Sequence, residues 1–163
     1  MFVPKRSILR AVTAFVLPLA ILTFVPLARA ATFTVINTND SGAGSLRQAV
    51  IDSNNAAGSD DIVFSSLFNS AQTIQLNSAI FVNPGLGNSL TITGPGMNLL
   101  TVRGSGSTLI FSRNVNNVNS LLISDMTLTN GVGGAVSNGN ANLSLTVTNV
   151  AFDSNTASFG GAI

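Results

Sequence analysis

Few side chains of this chain could take part in acid–base or metal chemistry. After residue 30 they are three arginines and six aspartates, and the whole sequence contains no His and no Cys. Without Cys there can be no disulfide, no thiol nucleophile and no thiolate ligand. Without His, a zinc ion would have only carboxylates to bind. The sequence therefore predicts no cofactor and no metal site.

Glycan cleavage is the enzymatic chemistry that these residues could best support. It needs paired carboxylates at glycosidase spacing, or calcium-bound aspartates with a basic residue. Asp125 and Asp153 are 28 residues apart, whereas the repeat described below has an offset of 24, so these two carboxylates need not stack. Arg103 and Arg113 could flank a groove, but we interpret them as solvated turn residues. We expect no catalytic residue here and keep, as the alternative, a polysaccharide lyase or hydrolase whose catalytic residues lie outside this chain.

The remaining acidic residues give no stronger signal. The spacing of Asp52, Asp60 and Asp61 fits no calcium-binding loop, and we interpret them as solvated residues of a turn and a strand start. After residue 30 the three Arg against six Asp leave a net charge of −3. An acidic surface without lysine argues against nucleic-acid binding, which needs a basic patch.

An internal repeat in residues 121–163 organises the elements that must position these side chains. LLISDMTLTNGVGGAVSN is followed, after a polar gap, by LTVTNVAFDSNTASFGGAI. The apolar residues align at an offset of 24, but the glycine pairs Gly133-Gly134 and Gly160-Gly161 align at 27. The second copy thus carries three extra residues between its last apolar residue and its glycines. A fixed core with an insertion in a loop is typical of stacked repeats.

Residues 72–119 contain short apolar segments separated by Gly and Asn, with a bend every eight to ten residues. Because this pattern merges into the repeat and lacks two-residue hairpin turns, it favours a parallel β-helix over a sandwich. About four turns would stack at roughly 4.8 Å. The predicted inward residues are Ile92, Val102, Ile123, Met126, Leu128, Val147, Val150 and Phe152.

Threonines on either side of an inward residue suggest one further possibility, a flat array of the ice-binding kind. The segments TIT (91–93), TLT (127–129) and TVT (146–148) each have this form. The last two centre on different repeat positions, so we expect no continuous array. Threonine is in any case a favourable strand residue on a half-exposed face.

Residues 32–68 read as a strand, a helix and a second strand. Ser45 followed by Gln48 is a capping-box pattern that predicts the start of the helix. Leu46, Ala49 and Val50 lie on one face at helical spacing. We interpret this segment as a cap over the first strands of the predicted β-helix.

The first thirty residues have the three parts of a secretory signal. Basic residues come first, an apolar run follows over residues 11–27, and the small-residue site Ala28-Arg29-Ala30 predicts cleavage before Ala31. The alternative is an uncleaved membrane anchor, but Pro18 and Pro26 interrupt a run that is short for a stable span.

Two segments resemble known families. TNDSGAGSLRQAVIDSN, followed by DDIVF, looks like the opening of many bacterial right-handed parallel β-helix proteins, with GSLRQA where one named cap has Cys-Ser-Leu-Arg-Glu-Ala. The last twelve residues are similar to the repeat of polymorphic outer-membrane proteins, which pairs Phe-x-x-Asn with Gly-Gly-Ala-Ile. The matching residues are Phe152, Asn155, Gly160, Gly161, Ala162 and Ile163. The resemblance implies a surface-exposed, often adhesive β-helix protein.

We therefore predict an all-β fold, a right-handed parallel β-helix with a short N-terminal capping helix. Residues 1–30 would be the signal peptide, 31–68 the cap and 69–163 the β-helix turns, truncated at the C-terminus so that the chain is an N-terminal fragment. The predicted function is a non-enzymatic, adhesin-like or passenger-type scaffold, exported to the extracellular or outer-membrane surface. Its expected partners are host-cell or matrix surfaces, or glycans, with membrane contact only through the signal or a missing anchor.

Overall fold

The computed structural model describes residues 29–85, 88–113, 119–139 and 144–163. The predicted signal peptide therefore lies outside the described residues, except for Arg29 and Ala30. The strands are β1 Thr32–Val35, β2 Asp60–Phe64, β3 Gln72–Gln75, β4 Ile80–Phe81, β5 Ser89–Thr93, β6 Leu100–Arg103, β7 Phe111–Arg113, β8 Ser120–Thr129, β9 Val136–Asn138 and β10 Ser144–Asp153. Helix α1 spans Leu46–Asn55, and a 3₁₀ turn spans Ser66–Asn69.

The strands form two parallel sheets of unequal size. One contains seven strands in the order β1-β2-β5-β8-β6-β3, with β10 also beside β8, and the other contains β4, β7 and β9. The ten-residue strand β8 connects two ladders. Its first half pairs with β5 and its second half with β6.

The prediction of a right-handed parallel β-helix is wrong. It assumed turns built from three separate short strands and the bends between them. Instead β8 runs on as one long strand, so two of the expected ladders merge into a single seven-stranded sheet. With α1 packed against parallel strands, the described part of the chain is closer to the α/β class than to a solenoid.

The core is built from alternate residues of neighbouring strands. Ile62 is paired with Ile92 and Ile92 with Ile123, while Val102 is paired with Leu128, and all five are fully buried. Each such side chain contributes about 1.5–3 kcal/mol through removal from water. The same cluster takes in residues of the small sheet and of α1, so the two sheets and the helix share one core.

Helix α1 begins where the capping-box pattern predicts. The Ser45 hydroxyl accepts a hydrogen bond from the Gln48 amide at 3.1 Å and donates to the Gly42 carbonyl at 2.7 Å. Leu46, Ala49 and Val50 are buried, so the predicted apolar face is the one that packs against the strands.

Arg47 attaches α1 to the rest of the molecule. Its guanidinium donates to the Ala79 carbonyl at 2.7 Å, to the Ser78 carbonyl at 2.7 Å and to the Asp40 carboxylate at 2.7 Å. Asn77 donates to the same carboxylate at 3.2 Å. A planar fork of donors suits this arrangement, because one side chain can join two loops to the helix.

Within the described ranges, the structure contains no helix long and apolar enough to cross a membrane.

Candidate functional site

The structure does not bring the candidate catalytic carboxylates together. Asp125 accepts a hydrogen bond from the Asn149 side chain at 2.6 Å, whereas Asp153 lies opposite Thr129. The hydrogen bonds from Asn149 and Ser124 lower the pKa of Asp125, against a small opposing effect of desolvation. This holds Asp125 as a carboxylate, so it is unsuited to act as a general acid near neutral pH.

Arg113 is fully buried, although the sequence predicted a solvated turn residue. Its guanidinium donates to the Asn138 side chain at 2.8 Å, to the Ser144 carbonyl at 2.8 Å and to Asn119. Burial lowers the pKa of Arg113. These bonds tie β7 to the starts of β8 and β10. Arg113 therefore has a structural role, and Arg103 remains exposed on β6.

Asp60 is also buried, at 2% exposure, although the sequence predicted a solvated residue. Its Oδ2 accepts a hydrogen bond from the Ser53 hydroxyl at 2.9 Å. Asp52 and Asp61 are exposed as expected. Among the residues that the structure describes, no three His, Cys, Asp or Glu side chains form a group that could hold a metal ion.

The threonines form no continuous surface either. Leu122 lies between Thr91 and Thr146 in the ladder, and Ser124 lies between Thr93 and Thr148. Thr127 pairs with Ala151 and Thr129 with Asp153, which confirms the expectation that segments 127–129 and 146–148 are out of register. An ice-binding array has no support.

A row of half-buried apolar residues lies along β10. The ladder places Ile123 beside Val147, Met126 beside Val150 and Leu128 beside Phe152, so the offset of 24 is confirmed. The β8 members of these pairs are buried, whereas their β10 partners are only half-buried. Among the described strands β10 pairs with β8 alone, which leaves its other edge open.

Each long strand bends once, at a residue with left-handed backbone. Asp125 has φ 58° and Asn149 has φ 52°, and they occupy the same position in the two copies. The bend shifts the alternation of inward and outward side chains by one residue. Ile123 and Met126 therefore both face the core although they are three residues apart. Asp and Asn tolerate this conformation better than most residues.

Asn155 fastens the loop after β10 to the loop after β8. Its carbonyl oxygen accepts from the Gly131 amide at 2.8 Å, and its amide nitrogen donates to the Leu128 carbonyl at 2.9 Å. Asn155 thus has a structural role, since its side chain bonds the backbone of the neighbouring loop. The residue with left-handed backbone at this bend is Ser154, with φ 52°.

The glycine pairs make close turns that larger residues would disturb. Gly134 has φ 106°, a conformation that other residues rarely adopt. A Cβ on Gly161 would come within 2.7 Å of the Asn155 carbonyl oxygen. Beside them, the Ala162 carbonyl accepts from the Ala135 amide at 3.0 Å, and Ile163 is 55% exposed.

The three extra residues of the second copy form an exposed loop. The offset is still 24 where Val132 bridges to Thr156, but it is 27 where Ala135 meets Ala162. Residues 157–159 are therefore the insertion. Phe159, its last residue, is 94% exposed, and an open groove of about 430 Å³ adjoins the loop. The residues that line the groove are Val132, Gly133, Thr156, Ala157 and Ser158.

The sequence located this loop but did not single out Phe159. The offset change placed an insertion between Phe152 and Gly160, and repeat insertions map to loops that are often binding surfaces. Phe159 was the only aromatic residue in it. The bends at Asp125 and Asn149 had a signal too, since apolar spacing changes from two to three there.

No protein-family model matches the chain, and no curated protein matches it. The resemblance to polymorphic outer-membrane proteins remains a prediction from the motif around Phe152 and Gly160.

Proposed function

We propose that this protein is an exported, non-enzymatic surface scaffold with an adhesin-like role, and that it binds through the inserted loop around Phe159. The observation that carries the proposal is an aromatic ring 94% exposed to solvent beside an open, uncharged groove. The ring sits on a three-residue insertion that the repeat architecture does not require. Exposed aromatic residues next to a pocket are common anchors of protein interfaces.

The surroundings of the loop indicate the kind of partner. The groove is lined by small neutral residues, and β10, the strand before the loop, carries the half-buried Phe152 and Val150. A charged ligand would find no opposite charge among these residues. A polypeptide of a host-cell or matrix surface that places an apolar side chain in the groove fits this surface best.

Two features of the sequence favour a location outside the cytoplasm. The pattern of residues 1–30 is that of a secretory signal, and the motif around Phe152 and Gly160 is similar to repeats of surface-exposed proteins. The absence of Cys is compatible with either redox environment.

The decisive experiment compares two exposed phenylalanines. Phe81 is 68% exposed on β4, on the other sheet, and so provides a matched control for Phe159. Purified protein, Phe159→Ala and Phe81→Ala would be tested for binding to cultured epithelial cells and to plates coated with matrix proteins. We expect binding to fall at least about tenfold in Phe159→Ala, the size of a hot-spot residue, and to be unchanged in Phe81→Ala.

Circular dichroism of both variants would establish that they are folded. Equal binding by the two variants would exclude the inserted loop as the binding site. Release of reducing ends or unsaturated sugars from a panel of polysaccharides would contradict the non-enzymatic part of the proposal.

A further inference from the structure

Asp60 occupies a position that normally holds an apolar residue. It lies on β2 two residues before Ile62, on the same inward face, and is paired with the buried Leu90. A carboxylate in such a place is costly unless hydrogen bonds or an opposite charge compensate it. In the described part of the chain its side-chain partners are the Ser53 hydroxyl and one backbone amide, both neutral.

That backbone amide belongs to Ala31. Its nitrogen lies 3.0 Å from Asp60 Oδ1, while the Ala31 carbonyl accepts from the Asp61 amide at 2.9 Å. Ala31 is also the residue that follows the predicted cleavage site. Ala30, on the other side of that peptide bond, is exposed.

We propose that the buried Asp60 carboxylate is a receptor for the new N-terminus, so that removal of the signal peptide completes the fold. Hydrolysis of the Ala30–Ala31 bond by the exporting peptidase consumes one water, leaves a carboxylate on Ala30 and creates an ammonium group on Ala31. The neutral N–H···O bond becomes an ion pair between the same two atoms. The proposal rests on the proposed export, because only a processed chain has that ammonium group.

The charge change has a direct structural consequence. Removing one member of a buried ion pair is strongly destabilising, because the other charge is left in a low-dielectric site. Before cleavage Asp60 has only neutral hydrogen-bond partners among the described residues, and after cleavage it has a counter-charge. The mature protein should therefore be more stable than the same protein with residues still attached to Ala31.

A double-mutant cycle tests this pairing. Four proteins are compared by thermal unfolding at neutral pH: the chain beginning at Ala31, the same chain with one glycine added before Ala31, and Asp60→Asn in each. We expect Asp60→Asn to lower the unfolding midpoint by at least about 5 °C in the chain beginning at Ala31. In the glycine-extended chain its effect should be less than half as large.

Asp61→Asn, a neighbouring exposed carboxylate on the same strand, is the matched control and should behave alike in both backgrounds. Equal effects of Asp60→Asn in the two backgrounds would overturn the proposal. Mass spectrometry of protein recovered from an exporting host supplies the separate test of export. An intact N-terminus there would contradict export, whereas a start at Ala31 without coupling to Asp60 would contradict only the receptor role.

Discussion

Strands β1 and β10, the first and last strands of the large sheet along the chain, differ in how the rest of the molecule covers them. Near β1, helix α1 covers apolar residues, and Arg47 binds two neighbouring loops through short hydrogen bonds. Along β10, the corresponding apolar row is half-buried and its outer edge is unpaired among the described strands. One side of the sheet is thus closed by polar contacts around a helix, and the other offers apolar surface.

The comparison shows that position in the ladder, rather than residue type, decides burial. Leu121 and Leu145 are the same residue at the same repeat position and are directly paired. Leu121 is 1% exposed because strands lie on both sides of β8. Leu145 is half-buried because only one side of β10 is paired.

The largest expected effect follows from that pair. Leu121→Ala should destabilise the protein by about 2–5 kcal/mol, because it leaves a cavity in the core. Leu145→Ala should cost less than about 1.5 kcal/mol, because solvent already reaches the site. Denaturant unfolding of both variants measures the difference, and equal losses would mean that β10 is covered in solution.

The closed side can be weakened at Arg47. Arg47→Met should cost about 2–3 kcal/mol, because the charge-assisted bonds to Asp40, Ser78 and Ala79 are lost while the methionine keeps most of the apolar stem. Arg103→Met, at an exposed arginine of β6, is the control and should change stability by less than about 0.5 kcal/mol. A loss in Arg103→Met as large as in Arg47→Met would show that charge alone explains the effect.

The bends can be tested at Asn149, whose backbone is left-handed. Asn149→Gly and Asn149→Val both remove the hydrogen bond to Asp125, so their difference reports the backbone conformation. We expect Asn149→Val to be less stable than Asn149→Gly by about 1–2 kcal/mol. Chemical denaturation of the two proteins gives this difference, and a value near zero would show that β10 straightens without cost.

The smallest expected effect is a change in stability at acidic pH. Burial raises the pKa of Asp40, but its hydrogen bonds with Arg47 and Asn77 and the charge of Arg47 outweigh burial and hold it below the ordinary value of 3.8. A lowered pKa means that the carboxylate contributes its stability above pH 3.8 and loses it as the pH falls further. Asp40→Asn should therefore be less stable than the natural protein at pH 6, and the difference between the two should shrink as the pH falls below 3.8. Parallel pH dependence would exclude Asp40 as an acid-sensitive contact.

Local patterns in the sequence predicted local structure well. The offset of 24 gave the register of β8 with β10, and Ser45 with Gln48 gave the start of α1. The fold class was wrong because strand length was misjudged at Asp125. The change in apolar spacing there marks a bend within one long strand, which joins two ladders into one sheet.

Local sequence patterns did not predict the burial of Arg113 and Asp60. Arg113 receives its partners from Asn138 and Ser144, and Asp60 from Ser53 and Ala31. Ala31, Asn138 and Ser144 lie 25 to 31 residues from the charges that they bond, so the sequence around each charge does not show the partners that allow its burial. Composition and spacing therefore suggested solvated side chains at positions that the fold encloses.

The left-handed residues at Asp125 and Asn149 have a consequence for the fidelity of assembly. A strand with alternating apolar residues can slide by two positions along its neighbour and still bury the same face. Here such a slide would set the bend of β10 against extended backbone of β8, and the bond between Asn149 and Asp125 would be lost. The paired bends thus make a shifted register less stable than the native one. They favour a single register while the sheet is forming.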